Sequence, residues 1–499
     1  MLAMTQVAVP HIETSDKPAF PARTFLAIVK QDCPTCVLAI PVLRQIEQLI
    51  APLGGTLEVY VQDDVSFAAG FSHACDDTAL ATSYRYQVDT VPTLIRLKEG
   101  QEDARAVGWQ RAQWQAVTGI SGLGENLPDY RPGCGSKTMD PRMPVRLKVK
   151  YGNTGLASCR IVVPALSDAV ETCYERGWTD GLPVVPPTEE RVLEVLDGTA
   201  RSPSEVIGLI PPNLTPCTVE KVAINAVMAG CRPEYMPVVL TAVEAALMPA
   251  FGLHGVLATT NACTPVVMVN GPIARAIGMN AKGNVFGQGN RANAAIGRTL
   301  QLVVRNVGGG RPGEIDRSVF GTPAKYSFCF AEDEEDPRWE SYAVSLGYSP
   351  NASTVTIFPG DGITQTIDHI SRQPEDLCRS YAGCIRAIYH TGHVIGVQAF
   401  LAIGREHAIV FYDAGWSKAR VKEELLDLLK IPVREVAPGR SGLSGLTAEE
   451  KADPNNLIPK FKNGTFNIIR AGGSAGKYSA IISSIGGRGS IEPVTKEIR

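Results

Sequence analysis

The stretch Cys33-Pro34-Thr35-Cys36 decides the fold of the first part of this 499-residue chain. It follows an apolar, β-branched run at 24–30 and leads into helical spacing at 37–50. A strand thus delivers Cys33 to a helix N-terminus, where free N–H groups and the helix dipole stabilise a thiolate and lower its pKa from about 8.5 to roughly 3.5–7.5. The pattern predicts that Cys33 attacks disulfides and reacts with alkylating reagents, whereas Cys36 is protected.

The segments that follow extend this motif to a domain. Pro41 is expected to kink the helical segment, 57–62 has the pattern of a buried strand, and Val91-Pro92-Thr93 leads into a strand and hairpin. In this order the features resemble the thioredoxin superfamily over residues 23–120. The resemblance implies a thioredoxin-like domain at 23–122, with a cis-proline at Pro92 that lies against the cysteine pair and presents backbone to an extended substrate.

Two residues depart from the pattern of that superfamily. Ala27 stands where a buried acid usually assists the second thiol, and Asp32 replaces the tryptophan before the first cysteine. A carboxylate beside Cys33 should raise its pKa, against the helix dipole. Both changes favour a dedicated partner over general disulfide reduction; a purely structural cysteine pair and a zinc site are the alternatives.

Composition limits the classes of partner. The net charge is −3, from 48 basic and 51 acidic residues, so no nucleic-acid-binding field is expected. The twelve cysteines are scattered as in proteins of a reducing cytosol. Residues 1–22 are expected to be a flexible arm without a signal peptide, and the apolar tract 235–260 is broken by prolines and charges. We expect a soluble cytoplasmic protein that binds neither nucleic acid nor membrane.

A Gly/Pro-rich connector is predicted at 123–146, and it contains Cys134 between two glycines. Such a thiol can reach both the cysteine pair and the following domain, and Arg131 and Lys137 should favour its thiolate. The alternative is a linker cysteine without a role.

Residues 147–499 alternate between strand and helix patterns without a clear repeat, which predicts a large α/β domain of unassigned topology with a soft boundary near 332–350. The whole chain is therefore assigned to the α/β class, as a thioredoxin-like fold joined to a large α/β domain. The segments predicted as strands include 145–151, 158–163, 256–260, 266–270, 353–358, 392–403 and 407–412. Those predicted as helices include 167–176, 188–196, 218–230, 233–247 and 417–429.

The densest polar stretch of this domain lies at 278–298. Its candidate substrate-binding residues are Asn280, Asn284, Asn290, Arg291 and Arg298, with Asn290 as a helix N-cap. Helix N–H groups and guanidinium groups form an anion receptor, so a carboxylate or phosphate substrate is expected. Turn closure and helix capping are the alternative, and the G-x-G-x-x-A match at Gly287 is too weak to predict a dinucleotide. No cofactor is assigned.

Two further patterns carry less weight. The run 472–477 resembles a P-loop with shifted glycine spacing, so Lys477 and backbone amides are expected at most to hold an anion. His390, His393 and His407 lack metal-site spacing, and no metal is assigned.

Part of the large domain resembles bacterial proteins of the uncharacterised UGSC type, named for a selenocysteine or cysteine followed by Gly-Ser-Cys. The similar segments are 178–188, Asn270-Gly-Pro and Gly415-Trp-Ser-Lys418. Cys134-Gly-Ser-Lys137 is the nearest match to the motif, without its final cysteine. The resemblance implies that Cys134 is the reactive thiol.

The leading hypothesis is a thiol-dependent enzyme, an oxidoreductase or lyase, that acts on a small anionic molecule. In it Cys134 is the catalytic thiol, Cys33 and Cys36 resolve it, and an external thiol reductant resets the pair. A non-redox lyase or hydrolase with a docking module and a protein-disulfide oxidoreductase are the alternatives. Formation of a homo-oligomer is left open.

Overall fold

The computed structural model describes residues 24–392, 394, 397–436, 446–461, 464–486 and 491–499. The chain forms two compact units, Met1–Thr154 and Gly155–Arg499. The predicted connector 123–146 thus falls within the first unit, and the predicted arm 1–22 lies outside the described residues.

The first unit has a thioredoxin-like order of strands and helices. Its elements are β1 (Thr24–Val29), α1 (Pro34–Ile50), β2 (Thr56–Val61), β3 (Ala74–Asp76), α2 (Ala81–Arg85), β4 (Thr90–Val91), β5 (Thr93–Lys98), β6 (Gln101–Val107), β7 (Trp109–Gln110), α3 (Arg111–Thr118), β8 (Tyr130–Arg131), β9 (Cys134–Gly135) and α4 (Met143–Tyr151).

Five of these strands form one sheet in the order β3-β2-β1-β5-β6. The central strand β1 is buried over its whole length, pairs in parallel with β2 and antiparallel with β5, and therefore reads as a continuous apolar run. Helix α1 continues through Pro41 and buries Ala39, Val42 and Ile46 in the same core. By length and composition the helical run Pro34–Leu53 also passes as a membrane span, a test that core helices of soluble proteins pass as well.

The second unit contains twelve helices and twelve strands among its described residues. The helices are α5 (Ala169–Glu175), α6 (Glu189–Leu196), α7 (Val219–Ala229), α8 (Met236–Ala246), α9 (Leu253–Ala258), α10 (Pro272–Ala276), α11 (Arg291–Asn306), α12 (Tyr342–Ser345), α13 (Pro374–Arg386), α14 (Arg405–Asp413), α15 (Lys418–Leu428) and α16 (Ala448–Lys451). The strands are β10 (Val206–Ile210), β11 (Thr215–Thr218), β12 (Thr264–Asn270), β13 (Cys329–Ala331), β14 (Thr354–Gly360), β15 (Ile363–Ile367), β16 (Val397–Ile403), β17 (Lys430–Pro432), β18 (Leu457–Pro459), β19 (Phe466–Arg470), β20 (Tyr478–Ile485) and β21 (Val494–Glu497).

Two four-stranded sheets of this unit share one topology. Their orders are β13-β12-β14-β21 and β19-β16-β20-β15, and in each the first pair is parallel and the other two pairs are antiparallel. The chain first forms β12, β13 and β14 of one sheet and then β15 of the other. It next forms β16, β19 and β20 of that other sheet and finally β21 of the first sheet, so the same four-strand pattern occurs twice. The domain thus contains a structural repeat, although its sequence pattern showed no clear one.

The two sheets pack face to face, and helices cover their outer faces. Phe358 of one sheet stacks on Phe400 of the other, with ring centroids 3.9 Å apart. Alternate residues of β12 point outward and join α7, α8 and α11, whereas those of β16 join α13, α14 and α15. The unit is thus a four-layer α/β/β/α arrangement, and the chain changes sheets after β14, beyond the predicted boundary at 332–350.

Four segments predicted as strands have helical structure or none. Residues 145–151 lie in α4, 256–260 overlap α9 and 407–412 lie in α14, while 158–163 form no regular element. The run in α14 is β-branched and aromatic, but it buries His407, Ala408 and Phe411, which share one helical face. Tertiary packing at this spacing outweighs the intrinsic strand preference of the residues.

Candidate redox site

The cysteine pair lies where strand β1 passes its chain to helix α1. Cys33 is the N-cap of α1, and its sulfur accepts a hydrogen bond from the Cys36 backbone N–H at 3.3 Å. Pro34 follows at the first helical position, where the missing N–H has no intrahelical partner to lose. The peptide bond Val91–Pro92 is cis, as the resemblance implied, and the Val91 carbonyl oxygen lies 3.6 Å from the Cys33 sulfur.

Cys134 lies next to this cysteine pair. Strand β9 pairs antiparallel with β4, so that Cys134 is opposite Val91 and Gly135 is opposite Thr90. The Cys134 thiol is in hydrogen-bond contact with the Cys33 sulfur. The chain's own segment therefore occupies the edge beside Pro92, where the superfamily resemblance implies an extended substrate.

Close backbone packing holds the segment that contains Cys134 in place. A Cβ atom on Gly133 would lie 2.4 Å from Cγ2 of Thr90 and 2.8 Å from the Val91 carbonyl oxygen, and one on Gly108 would lie 2.8 Å from the Gly133 nitrogen. Thr35 Oγ1 also donates to the Pro132 carbonyl at 2.7 Å. Gly133, one of the two glycines that predicted a flexible connector, is thus needed for tight contact.

Polar contacts hold both ends of the same segment. Upstream, β7 pairs with β8. Downstream, the buried Gln62 amide donates to Ser136 Oγ at 2.7 Å and its carbonyl oxygen accepts from the Lys137 N–H at 3.0 Å. Cys134 is therefore part of the folded first unit.

The three thiols have different acidities. The hydrogen bond from the Cys36 thiol lowers the pKa of Cys33 to about 5, against the effect of burial, and the Cys134 thiol assists. Burial, followed by the hydrogen bond to Cys33, raises the pKa of both Cys36 and Cys134. Cys33 is therefore the thiolate near neutral pH. The pKa of Cys134 is raised, contrary to the expectation that Arg131 and Lys137 favour its thiolate, and the cation that opposes this rise is Lys30.

The solvent exposure of the three thiols differs from the expectation that Cys33 is the accessible one. Cys33 and Cys36 are each 0% exposed, whereas Cys134 is partly exposed. The most acidic thiol of the site is thus covered, and reagents meet Cys134 first. The sequence placed Cys33 at a helix N-terminus but carried no sign that a segment a hundred residues later would cover it.

The acidic residue that precedes Cys33 is paired with a lysine. Asp32, expected to raise the pKa of Cys33, is largely exposed and forms an ion pair with Lys30 at 3.2 Å. The pKa of Cys33 is low despite this carboxylate. Ala27 is buried in β1, so the acid usual at this position of the superfamily pattern is absent.

The asparagines of the polar stretch in the second unit make local turns and caps. Asn290 caps α11 by accepting from the Asn293 N–H, and its amide donates to Gly278 O. Asn280 bridges Lys282 N and Gly283 O, and Asn284 donates to Gln288 O. These contacts are those of the capping alternative.

The two arginines of that stretch also have protein partners. Arg298 forms a two-pronged ion pair with Asp180 at 2.8 and 2.9 Å and donates to the Leu182 and Pro183 carbonyls. Arg291 donates to Gly230 O. Their roles in substrate binding stay predictions, which the described contacts do not support.

The remaining candidate motifs have structural surroundings. The glycine run at 472–477 follows β19 as expected but leads into β20, so it has no helix N-terminus behind it. His407 is buried between Ser479 Oγ and the Asp368 carbonyl, and His393 lies outside the described residues. Within the described part of the chain, no group of three or more His, Cys, Asp or Glu side chains is arranged to hold a metal ion.

Comparisons with known proteins yield structural likenesses only. No family model and no curated protein matches the chain. Among solved structures, the chain is similar to StoA from Bacillus subtilis (18% identity, 21% of this chain and 86% of that one, TM-score 0.18) and to thioredoxin O2 from Arabidopsis thaliana (18%, 20% and 74%, 0.15). It is also similar to a secreted disulfide oxidoreductase from Mycobacterium tuberculosis (16%, 20% and 81%, 0.17).

Proposed function

We propose that this protein is a thiol-dependent redox enzyme whose first unit is a three-thiol relay. Cys134 reacts with a small molecule, Cys33 resolves the modified Cys134, and Cys36 closes the final disulfide. The observation that carries the proposal is the pairing of Cys134 with Val91, which leaves its thiol in contact with a Cys33 of pKa about 5.

For a low-molecular-weight disulfide the relay has three exchanges. The Cys134 thiolate attacks one sulfur of the substrate, forms a mixed disulfide and releases the first thiol. The Cys33 thiolate then attacks Cys134 and releases the second thiol. Cys36 attacks Cys33, forms the Cys33–Cys36 disulfide and expels Cys134 as a thiolate. The substrate disulfide is reduced to two thiols, the cysteine pair is oxidised, and an external dithiol reverses that oxidation.

The low pKa of Cys33 suits its place in the middle of these exchanges. The central nucleophile is the thiolate of Cys33, whose low pKa keeps it deprotonated near neutral pH for its attack on Cys134. Cys36 must lose a proton to attack, and the expelled Cys134, whose pKa is raised, can take one up. Proton transfer from Cys36 to Cys134 can therefore replace the buried acid that the superfamily pattern usually has at the position of Ala27.

The geometry weighs against reduction of general protein clients. An extended client would have to pair with β4 beside Pro92, and β9 already forms those pairs. Cys33 is also fully covered. A non-redox function of the second unit gives no reason for three thiols in contact.

Oxidation with 2-hydroxyethyl disulfide tests the route through Cys134. Reduced protein is mixed with the disulfide, samples are quenched with acid and N-ethylmaleimide, and the Cys33–Cys36 disulfide is quantified by mass spectrometry. We expect Cys134→Ser to slow its formation on the order of tenfold or more, because the covered Cys33 has no other access to the reagent.

The matched control is Cys75→Ser, which removes another partly exposed cysteine of the first unit. It should form the disulfide at the wild-type rate. Wild-type kinetics in Cys134→Ser would contradict the relay.

A further inference from the structure

The two four-stranded sheets of the second unit have four edge strands, and these are protected to different degrees. Strands β13 and β19 are buried over their whole length. Strand β21 carries Lys496 and Glu497, and the Tyr348 hydroxyl donates to its Thr495 carbonyl at 3.0 Å. Within the described part of the chain, β15 pairs only with β20, and four of its five residues are exposed. One sheet edge is therefore open to another strand.

The open edge has none of the features that usually prevent pairing with another chain. Its sequence, Ile-Thr-Gln-Thr-Ile, contains no charged residue and no proline, and its register with β20 is continuous. Natural proteins blunt such edges with lysine, proline or bulges. On one face the strand presents Ile363 and Ile367, which are 41% and 56% exposed, on either side of Gln365. Burial of these side chains favours association.

The sequence of β15 is the same in both directions about Gln365. Two copies paired antiparallel across a two-fold axis at this residue place Ile363 opposite Ile367, Thr364 opposite Thr366 and Gln365 opposite itself. Every side chain then faces one of the same kind on the same side of the sheet. The strand is thus complementary to a second copy of itself.

The charges around the two ends of β15 also suit an antiparallel pair. Asp361 lies just before the strand, whereas the exposed His369 and Arg372 follow it. The guanidinium of Arg372 donates to three backbone carbonyls at that end. The carboxylate of Asp368, the acid at the same end, is turned back onto two serine hydroxyls. Because antiparallel pairing brings the start of one strand to the end of the other, an acidic side chain meets basic ones.

Apolar side chains beyond the two ends enlarge the available surface. A stable dimer buries roughly 1,200–2,000 Å² in total, more than two short strands supply by themselves. Ile370, after the strand, is 88% exposed. Phe320 is 97% exposed in a loop that reaches the start of the strand, where Thr322 Oγ1 lies 3.7 Å from a Cβ atom built on Gly362. The antiparallel arrangement brings Phe320 of one copy and Ile370 of the other to the same end of the interface.

We infer that two copies of this chain associate through β15, antiparallel and with a two-fold axis at Gln365. Their four-stranded sheets then join into one continuous sheet of eight strands. The inference does not depend on the thiol relay, because β15 contains no residue of that site.

Light scattering of the full chain tests the association. At micromolar concentrations the wild type should have twice the mass of one chain. Gln365→Lys places two ammonium groups opposite each other at the axis and should raise the dissociation constant of the dimer on the order of tenfold or more. The matched control Gln113→Lys makes the same change at an exposed glutamine of the first unit and should behave like the wild type. A monomeric wild type would overturn the inference, and so would a dimer that both variants leave intact.

Cysteine crosslinking tests the register. Gln365→Cys should form a disulfide between two copies on mild oxidation, because opposite residues of an antiparallel pair have Cα atoms about 4.5–5.5 Å apart. Ile363→Cys and Ile367→Cys should not crosslink singly, since each lies more than about 13 Å from its own counterpart, but their mixture should give a 363–367 disulfide after subunit exchange. Peptide mapping separates these products from disulfides of the native cysteines. Dimers without the 365–365 disulfide would show that another surface associates and would overturn the assignment.

The variants can be compared because Gln365 is an exposed residue. Both of its substitutions should leave the chain folded, which circular dichroism checks. If Gln365→Lys does not fold, the mapped disulfides of the cysteine variants decide.

Discussion

At the scale of single residues, the account depends on the different acidities of three neighbouring sulfurs. Cys33 combines the N-cap position of α1 with hydrogen bonds from two thiols, whereas Cys36 and Cys134 are hydrogen-bond donors to it and are themselves penalised by burial. The sequence was sufficient to predict the low pKa of Cys33, because the helix N-terminus is a local feature. The contribution of Cys134 depends on a contact between residues about a hundred positions apart.

Ultraviolet titration measures the acidity of Cys33. The thiolate absorbs near 240 nm, and the difference between reduced wild type and Cys33→Ser should show a step with an apparent pKa of about 5. Because this pKa lies below the ordinary value of 9.0, the folded state of the wild type gains stability relative to the variant as the pH rises from about 5 to about 9. That gain is lost as the pH falls through 5. A step near 9 would contradict the assignment.

At the scale of elements, the short pairing of β9 with β4 converts a predicted linker into part of the site. The pattern Gly133-Cys134-Gly135 is typical of loops, and nothing in its composition distinguishes flexibility from close packing. The contacts in the structure do distinguish the two cases. A Cβ atom at Gly133 would clash with its neighbours, whereas one at Gly135 would meet open space.

Substitution of these two glycines tests the role of β9 as a cover. Gly133→Val should push the segment away from Thr90 and Val91, lower the free energy of unfolding by about 1–3 kcal/mol and make Cys33 accessible to iodoacetamide. Gly135→Ala, in the same strand, should leave both stability and labelling unchanged. Peptide mapping after brief alkylation reports the outcome. Cys33 that stays protected in a folded Gly133→Val protein would contradict the covering role.

At the scale of the whole molecule, the sequence predicts the class of each unit but not how the second unit is built. The strands 266–270 and 353–358 and the helices at 188–196, 218–230 and 417–429 were predicted within a few residues of their observed bounds. The repeat was missed because each half gives its last strand to the other sheet, so that neighbours in space are distant in sequence. The anion site failed to find support for a similar reason, since Arg298 pairs with Asp180, 118 residues away.

The central claim is that Cys33 resolves Cys134, and trapping this step tests it most directly. In Cys36→Ser the resolving thiol is absent, so treatment with 2-hydroxyethyl disulfide should accumulate a Cys33–Cys134 disulfide, seen as one crosslinked peptide after non-reducing digestion. The double variant Cys36→Ser, Cys134→Ser should lack it. A Cys36→Ser protein that instead stops as a mixed disulfide on Cys134, with Cys33 still a free thiol, would contradict the relay.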